Sequence, residues 1–169
     1  ENTFDMIVIG AGPGGYVAAI RGAQLGLKVA IIEREHMGGI CLNWGCIPTK
    51  TMLRSSEVYH LLKNSKKYGV SADNVSYDLD AVVARSRGIG SKLSNGITHL
   101  LKKNNIISFL GSAYLVGNSE VEVTVKTEKV KLFSENIVLA TGARARKIKG
   151  FEVDKEHIWT YKNALTPKR

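Results

Sequence analysis

Two rhythms of apolar and polar residues alternate along this chain. Continuous apolar runs occur at Met6-Ile7-Val8-Ile9, Val29-Ala30-Ile31-Ile32 and Ile137-Val138-Leu139. Such runs belong to strands covered on both faces, as in a parallel sheet. They predict strands over 4–9, 28–32 and 136–139, and 106–110 adds a fourth. Helical spacing fills the intervals. One helix is expected from the glycine-rich turn at 10–15 through Leu25, carrying Ala18, Ala19 and Ala23, with Gly26 just beyond it, where a terminating glycine belongs. A second should start at Ile47, with Pro48 in its first turn, and run to Lys63 on an apolar face of Met52, Leu53, Val58, Leu61 and Leu62. A third is expected over 78–104, where Leu79, Val82, Val83, Ile89, Leu93, Ile97, Leu100 and Leu101 recur near helical spacing. Gly88, Gly90 and Gly96 weaken it and point to a kink or break.

Strict alternation over 120–125 and 129–133, joined by 114–116, predicts a three-stranded antiparallel meander beside the parallel sheet. Residues 65–77 read as a connection, and Gly111-Ser112-Ala113 as the turn out of the fourth strand. From Lys147 the chain reads as a connector, with a short strand at 158–160. The fold class is α/β: a parallel sheet, flanking helices and a small antiparallel β-meander.

Composition narrows this picture without redirecting it. The length suits one domain, and 44% hydrophobic residues can fill a core. No apolar run approaches the roughly 18 residues of a membrane span, and the N-terminus runs straight into a strand with no signal-peptide pattern. The formal charge is +9. Basic residues nevertheless alternate with acidic ones, as in Glu33-Arg34-Glu35, and no basic run is interleaved with aromatics. Neither nucleic acid nor a membrane is expected as a partner; a solvated surface, balanced by a more acidic partner or further portion of protein, accounts for the charge.

Chemistry enters at Gly10-Ala11-Gly12-Pro13-Gly14-Gly15, a complete G-x-G-x-x-G between the first strand and the first helix. Gly10 permits the tight turn, Gly12 lets backbone approach a pyrophosphate, and Gly15 lets helix and strand pack closely. The helix N-terminus offers N–H groups to phosphates. Glu33 ends the second strand, 18 residues past Gly15, placed to accept hydrogen bonds from ribose hydroxyls. Strand, glycines, helix, strand and acid in that order indicate a dinucleotide site, without separating FAD from NAD.

The two cysteines of the chain, Cys41 and Cys46, enclose Leu42-Asn43-Trp44-Gly45. A disulfide across so short a loop would restrict the unfolded chain by only about 2 kcal/mol. On a regular helix, positions five apart are separated by about 7.5 Å along the axis, so a bonded pair requires a distorted backbone, to which Gly45 is suited. A strained bond of this kind is readily reduced and fits catalysis better than scaffolding. Spacing alone leaves two alternatives open: unpaired core thiols, or half of a zinc site with His36.

The flanks carry more. Gly39-Ile40-Cys41-Leu42-Asn43-Trp44-Gly45-Cys46-Ile47-Pro48-Thr49-Lys50, preceded by the Gly10–Gly15 turn, resembles the FAD-dependent pyridine nucleotide-disulfide oxidoreductases. Gly10 to Arg21, Leu53-Arg54-Ser55-Ser56-Glu57 and Thr49 are most similar to the members that oxidise dihydrolipoamide with NAD+. The resemblance covers essentially the whole chain. It implies a Rossmann-type FAD-binding domain over 1–146 and a connector over 147–169 leading towards an NAD-binding domain beyond the chain. It implies that Cys41 and Cys46 form a redox disulfide, with Cys41 the interchange thiol, Cys46 the charge-transfer thiol and Lys50 supplying positive charge near the flavin. It also implies FAD contacts from Gly10, Gly12, Pro13, Gly14 and Gly15; from Glu33 and Arg34; from Gly39, Ile40, Cys41, Gly45, Cys46 and Lys50; from Gly111, Ser112 and Ala113; and from Ala140, Thr141 and Gly142. Ala113 stands where family members often carry Gly.

The implied partners are dihydrolipoamide on a lipoyl domain, a 2-oxo acid dehydrogenase complex and, in a full-length parent, a second subunit of a homodimer. The implied compartment is the cytoplasm, or alternatively the mitochondrial matrix. The second nucleotide domain and the C-terminal interface domain are not in the sequence, so the chain is expected to be an N-terminal piece that does not turn over alone. The alternatives are another disulfide reductase of the family, mercuric or glutathione-type, and a stand-alone FAD-binding module without catalysis.

Overall fold

The computed structural model describes residues 2–167; residues 1, 168 and 169, at the ends of the two expected segments, lie outside the described residues. The elements in order are β1 (Met6–Ile9), α1 (Pro13–Gln24), β2 (Val29–Glu33), α2 (Gly39–Trp44), α3 (Cys46–Lys63), a 3-10 turn (Ser65–Tyr68), α4 (Leu79–Lys103), β3 (Ile107–Leu110), β4 (Ser112–Leu115), β5 (Glu120–Val125), β6 (Glu128–Phe133), β7 (Ile137–Leu139) and α5 (Tyr161–Ala164). They fall into two compact units: residues up to 41 with 92–144, and 42–91 with the residues from 145 on.

The first unit holds both sheets. The parallel sheet has the order β3-β2-β1-β7. Ile7 stands between Ala30 of β2 and Ile137 of β7, and Ile7, Val8, Ala30 and Ile31 are fully buried. The apolar runs of β1 and β2 are thus explained by strands with cover on both faces, whereas the run of the edge strand β7 is only partly buried and its Leu139 is exposed. The antiparallel sheet has the order β4-β5-β6, the expected meander. Its Val121, Val123 and Leu132 share one core with Phe4, Ile7, Ala30 and Ile32 of the parallel sheet. Phe4 meets Phe109 edge-to-face at 6.5 Å. Gly22 inside α1 lies close to the sheet: a Cβ there would meet the terminal Cε of the flexible Met6 side chain and come within 3.4 Å of Val29 Cγ2.

The second unit is helical. Arg85 of α4 donates to the Thr51 carbonyl at 3.2 Å and to Ser55 Oγ at 3.3 Å on α3. The helix α4 runs without a break from Leu79 to Lys103. Gly90 sits where a Cβ would lie 2.7 Å from the Leu42 carbonyl oxygen, while Gly88 and Gly96 face open space. Among the described residues no helix is long and apolar enough to cross a membrane.

The segment 39–44 forms a short helix. Three expectations change. Ser112 and Ala113 belong to β4, paired with Thr124 and Val123, leaving Gly111 as the whole link from β3. The apolar residues of α3 face outward, with Leu53 63% exposed, and its buried positions are Pro48 and Thr51. No strand forms at 158–160. Asp154 Oδ1 instead accepts the N–H groups of Glu156, His157 and Ile158, each at 2.8 Å, and Thr160 caps α5 through a capping box with Asn163.

Candidate functional site

The glycine turn sits where three strands end side by side. Gly10 N–H donates to the Ile32 carbonyl at 2.8 Å, and Ala140 N–H to the Ile9 carbonyl at 2.8 Å. Gly10 adopts φ +102°, and a Cβ on it would overlap the Ala140 carbonyl, so both the turn and the neighbouring strand end require glycine. A Cβ on Gly15 would overlap the Gly10 carbonyl, which measures how closely α1 is drawn onto the turn. Gly12 is the N-cap of α1, followed by Pro13 and Gly14, and no side chain caps that helix end. Pro13 carries no N–H and Gly15 N–H bonds back to the Gly12 carbonyl at 2.9 Å, so of the first turn it is the Gly14 N–H that an approaching anion would meet.

A second glycine turn presses against the first. Gly38 N–H donates to the Ala11 carbonyl at 2.8 Å. Gly39, at φ +59°, lies so close that a Cβ on it would stand 2.6 Å from Gly12 Cα. Ile40 and Cys41 follow on α2, Ile40 exposed and Cys41 half-buried.

Glu33 fastens this arrangement. Its Oε2 accepts the Ala11 N–H at 2.8 Å, and its Oε1 accepts the N–H groups of Arg34 at 2.9 Å and Glu35 at 2.8 Å. The carboxylate placed by sequence to hold a ribose thus also holds the backbone of the glycine turn. An ionised carboxylate has about four acceptor positions, so one is left for a ligand. Beside it lies a cleft of about 180 Å³, lined by Gly10, Glu33, Arg34, Ser112 and Thr141 among others. Gly111 N–H donates to the Glu33 carbonyl at 2.8 Å, which sets Ser112 and Ala113 at this cleft. Ile32 and Tyr114 also line it; sequence reading passed over them because an apolar strand residue and a tyrosine carry no motif. Beyond β7, Gly142 adopts φ +72°, and Arg144 pairs with Glu35 at 2.9 Å.

Fifteen of the expected contact positions therefore share the first unit with Cys41: the five at 10–15, Glu33, Arg34, Gly39 and Ile40, and those at 111–113 and 140–142, while Gly45, Cys46 and Lys50 belong to the second. Cys41 and Cys46 are thiols, not joined in a disulfide. Gly45 breaks the helical path at φ −147°, ψ −112° and caps α3. Cys46 is exposed and is the first residue of that helix, where the dipole favours negative charge. Lys50 is exposed one turn further on.

The residues enclosed by the cysteines make contacts that no local pattern announces. Arg87 of α4 donates from Nη1 to the Asn43 carbonyl at 2.5 Å. Its guanidinium carbon lies 4.2 Å from the centre of the Trp44 ring, and Lys162 Nζ of α5 lies 5.3 Å from it. Trp44 Nε1 is buried with no hydrogen-bond partner.

Comparison with known proteins matches the model of the pyridine nucleotide-disulphide oxidoreductases over residues 4–168. The dihydrolipoyl dehydrogenase of Zymomonas mobilis is 53% identical over 166 residues, covering 97% of this chain and 35% of the relative. That of Rhizobium etli is 46% identical over 181 residues, covering 98% and 38%. The HOCl-induced flavoprotein disulfide reductase RclA of Escherichia coli, solved as a Cu(II) complex, superposes with a TM-score of 0.75 at 26% identity, covering 88% of this chain and 31% of that one. The chain thus spans about a third of the length of the curated relatives it matches.

Proposed function

The chain belongs to the pyridine nucleotide-disulphide oxidoreductase family, and from that premise we propose that it is the FAD-binding part of a dihydrolipoyl dehydrogenase. The observation that carries the reading is the combination on one chain of the glycine turn braced by Glu33 with two thiols, one of them at a helix N-terminus. The match to the Zymomonas dihydrolipoyl dehydrogenase extends over 97% of the chain. In this reading residues 1–146 are the N-terminal part of the FAD-binding domain and 147–169 the connector to an NAD-binding domain.

The residues present suit FAD. The uncapped N-terminus of α1, with Gly12, Pro13 and Gly14, would receive the pyrophosphate. Glu33, with its remaining acceptor position, would take a ribose hydroxyl, and the cleft lined by Arg34, Ser112, Ala113 and Thr141 would receive the adenosine side. Gly39, Ile40, Ala140 and Gly142 would bring backbone towards the cofactor, and Gly45, Cys46 and Lys50 would meet its flavin portion. Bound FAD would supply two-electron acceptance and hydride transfer to a nicotinamide.

The protein's own chemistry is thiol–disulfide exchange. As a disulfide, Cys41 and Cys46 take two electrons from dihydrolipoamide: the S–S bond of the protein breaks, that of lipoamide forms, and two protons accompany the electrons. Cys41 would be the exchanging sulfur and Cys46 the one held towards the flavin. Lys50 would balance negative charge as the flavin is reduced. The parent enzyme would act in the cytoplasm as a homodimer, serving lipoyl domains of a 2-oxo acid dehydrogenase complex.

Two measurements test this. The visible spectrum of the purified chain, with and without added FAD, is expected to show a flavin band that stays with the protein through gel filtration. The full-length parent is expected to reduce NAD+ with dihydrolipoamide; no NADH from dihydrolipoamide would overturn the assignment. The likeness to a flavoprotein disulfide reductase of another kind makes other disulfides the substrates to assay next.

A further inference from the structure

Arg87 lies in neither the glycine turn nor the dithiol motif, yet it reaches the segment between the two cysteines twice. Its Nη1 donates to the Asn43 carbonyl at 2.5 Å, and its guanidinium carbon lies over the Trp44 ring, 4.2 Å from the ring centre. The two contacts act on consecutive residues immediately before the break at Gly45, whose φ and ψ of −147° and −112° belong to no regular element. A hydrogen bond fixes one peptide carbonyl in direction, and a guanidinium held over the ring face restrains the adjacent side chain. Arg87 is partly buried and rides on α4, where Gly90, one turn on, lets that helix approach the Leu42 carbonyl closely. The grip therefore comes from a helix packed against this segment and not from a loosely tethered surface cation.

We propose that Arg87 is a positioning residue for the dithiol segment: through the Asn43 carbonyl and the Trp44 ring it holds the link before Gly45 in one conformation, so that Cys46 stays at the N-terminus of α3. The proposal rests on the reading that Cys41 and Cys46 cycle between dithiol and disulfide. Ring closure across a short link is favoured when the link is already ordered, because less chain entropy is lost on bonding. Releasing the link lowers the effective concentration of one thiol for the other and makes the disulfide easier to reduce.

The test is equilibration of the 169-residue chain in graded mixtures of glutathione and glutathione disulfide. The oxidant's S–S bond breaks as the Cys41–Cys46 bond forms, and two electrons and two protons pass to give two molecules of glutathione. Mass spectrometry after acid quenching gives the oxidised fraction for wild type, Arg87→Met and Arg87→Lys. Trp44 emission in a Trp159→Phe background, recorded before and after the Arg87 substitutions, reads the contact directly. Arg87→Met is expected to shift the exchange equilibrium about tenfold towards the dithiol, equivalent to about 30 mV for a two-electron couple. Arg87→Lys, which keeps the charge and one donor but not the planar fork, is expected to shift it about threefold, and Trp44 emission should change in both. An equilibrium constant within twofold of wild type in Arg87→Met, or a shift towards the disulfide, overturns the proposal. Should that variant fail to fold by circular dichroism, Arg87→Lys decides, and a wild-type equilibrium in it is the overturning result. A wild-type chain that forms no intramolecular disulfide anywhere in the series overturns the dithiol reading itself, and the role of Arg87 with it.

Discussion

Replacing Glu33 separates the load its side chain carries in the protein from the part it offers a ligand. Three backbone N–H groups point at the carboxylate, but they are not equivalent. Those of Arg34 and Glu35 are exposed, so water can replace the carboxylate there at little cost. The Ala11 N–H lies on a residue with no exposure, in the turn between β1 and α1, and bonds to Oε2 at 2.8 Å. A buried donor left without a partner costs about 1–3 kcal/mol. Glu33→Ala should therefore destabilise the chain by about 2–3 kcal/mol, nearly all of it from one bond. Glu33→Gln is the discriminating variant. Its single carbonyl oxygen can serve Ala11 or the Arg34–Glu35 pair, not both. Serving the buried donor is cheaper, so the loss should be only about 1 kcal/mol. Urea unfolding followed by far-ultraviolet circular dichroism reads both values, with the slope unchanged if the unfolded state is unaltered. Equal losses for the two variants, or a loss under about 0.5 kcal/mol for Glu33→Ala, would refute the argument that Ala11 is the partner that matters.

Gly10→Ala should cost more than about 2 kcal/mol and abolish FAD retention, because a Cβ at φ +102° is strained and meets the fixed Ala140 carbonyl; thermal unfolding and the flavin spectrum check it. Leu132→Ala, at a fully buried position shared by both sheets, should cost about 2–5 kcal/mol, measured by urea unfolding. Asp154 is held down to about 2 by the Ile158, Glu156 and His157 N–H groups. Its folded value is depressed, so the order it gives residues 154–158 is complete above the ordinary value of 3.8 and is lost as pH falls through about 2. The amide resonances of Glu156, His157 and Ile158 should titrate together there, and Asp154→Asn should remove that step.

What the sequence made legible was whatever its own neighbours determine. The four apolar strands, the alternating meander and the order strand–glycines–helix–strand–Glu33 are each written within a few residues, and the sheet order and the Glu33 to Ala11 bond agree with them. The helix at 39–44 was hidden because it opens on two glycines at positive φ, Gly38 and Gly39, and is too short to show a period. The strand expected at 158–160 lost to side chains: one carboxylate at 154 and one capping threonine at 160 decide that segment, and apolar character does not. The outward face of α3 shows the reverse error, since helical spacing identifies a stripe without saying what covers it. Arg87 could not have been found at all. It meets Asn43 across 44 positions, and nothing around an arginine on a helix tells which carbonyl it will reach.

The order β3-β2-β1-β7 also sets a timetable. β1 takes its first neighbour, β2, almost at once, but its other edge is closed by residues 137–139. Between the end of β2 at Glu33 and the start of β7 at Ile137 lie about 100 residues, roughly 5–20 s of ribosomal synthesis at about 5–20 residues per second. Through that interval a strand with Ile7 and Val8 fully buried in the finished protein presents an open, apolar edge, the kind of edge that templates pairing with other chains. A nascent chain stalled before residue 137 should accordingly be a client for chaperones, and one released a few residues later should not.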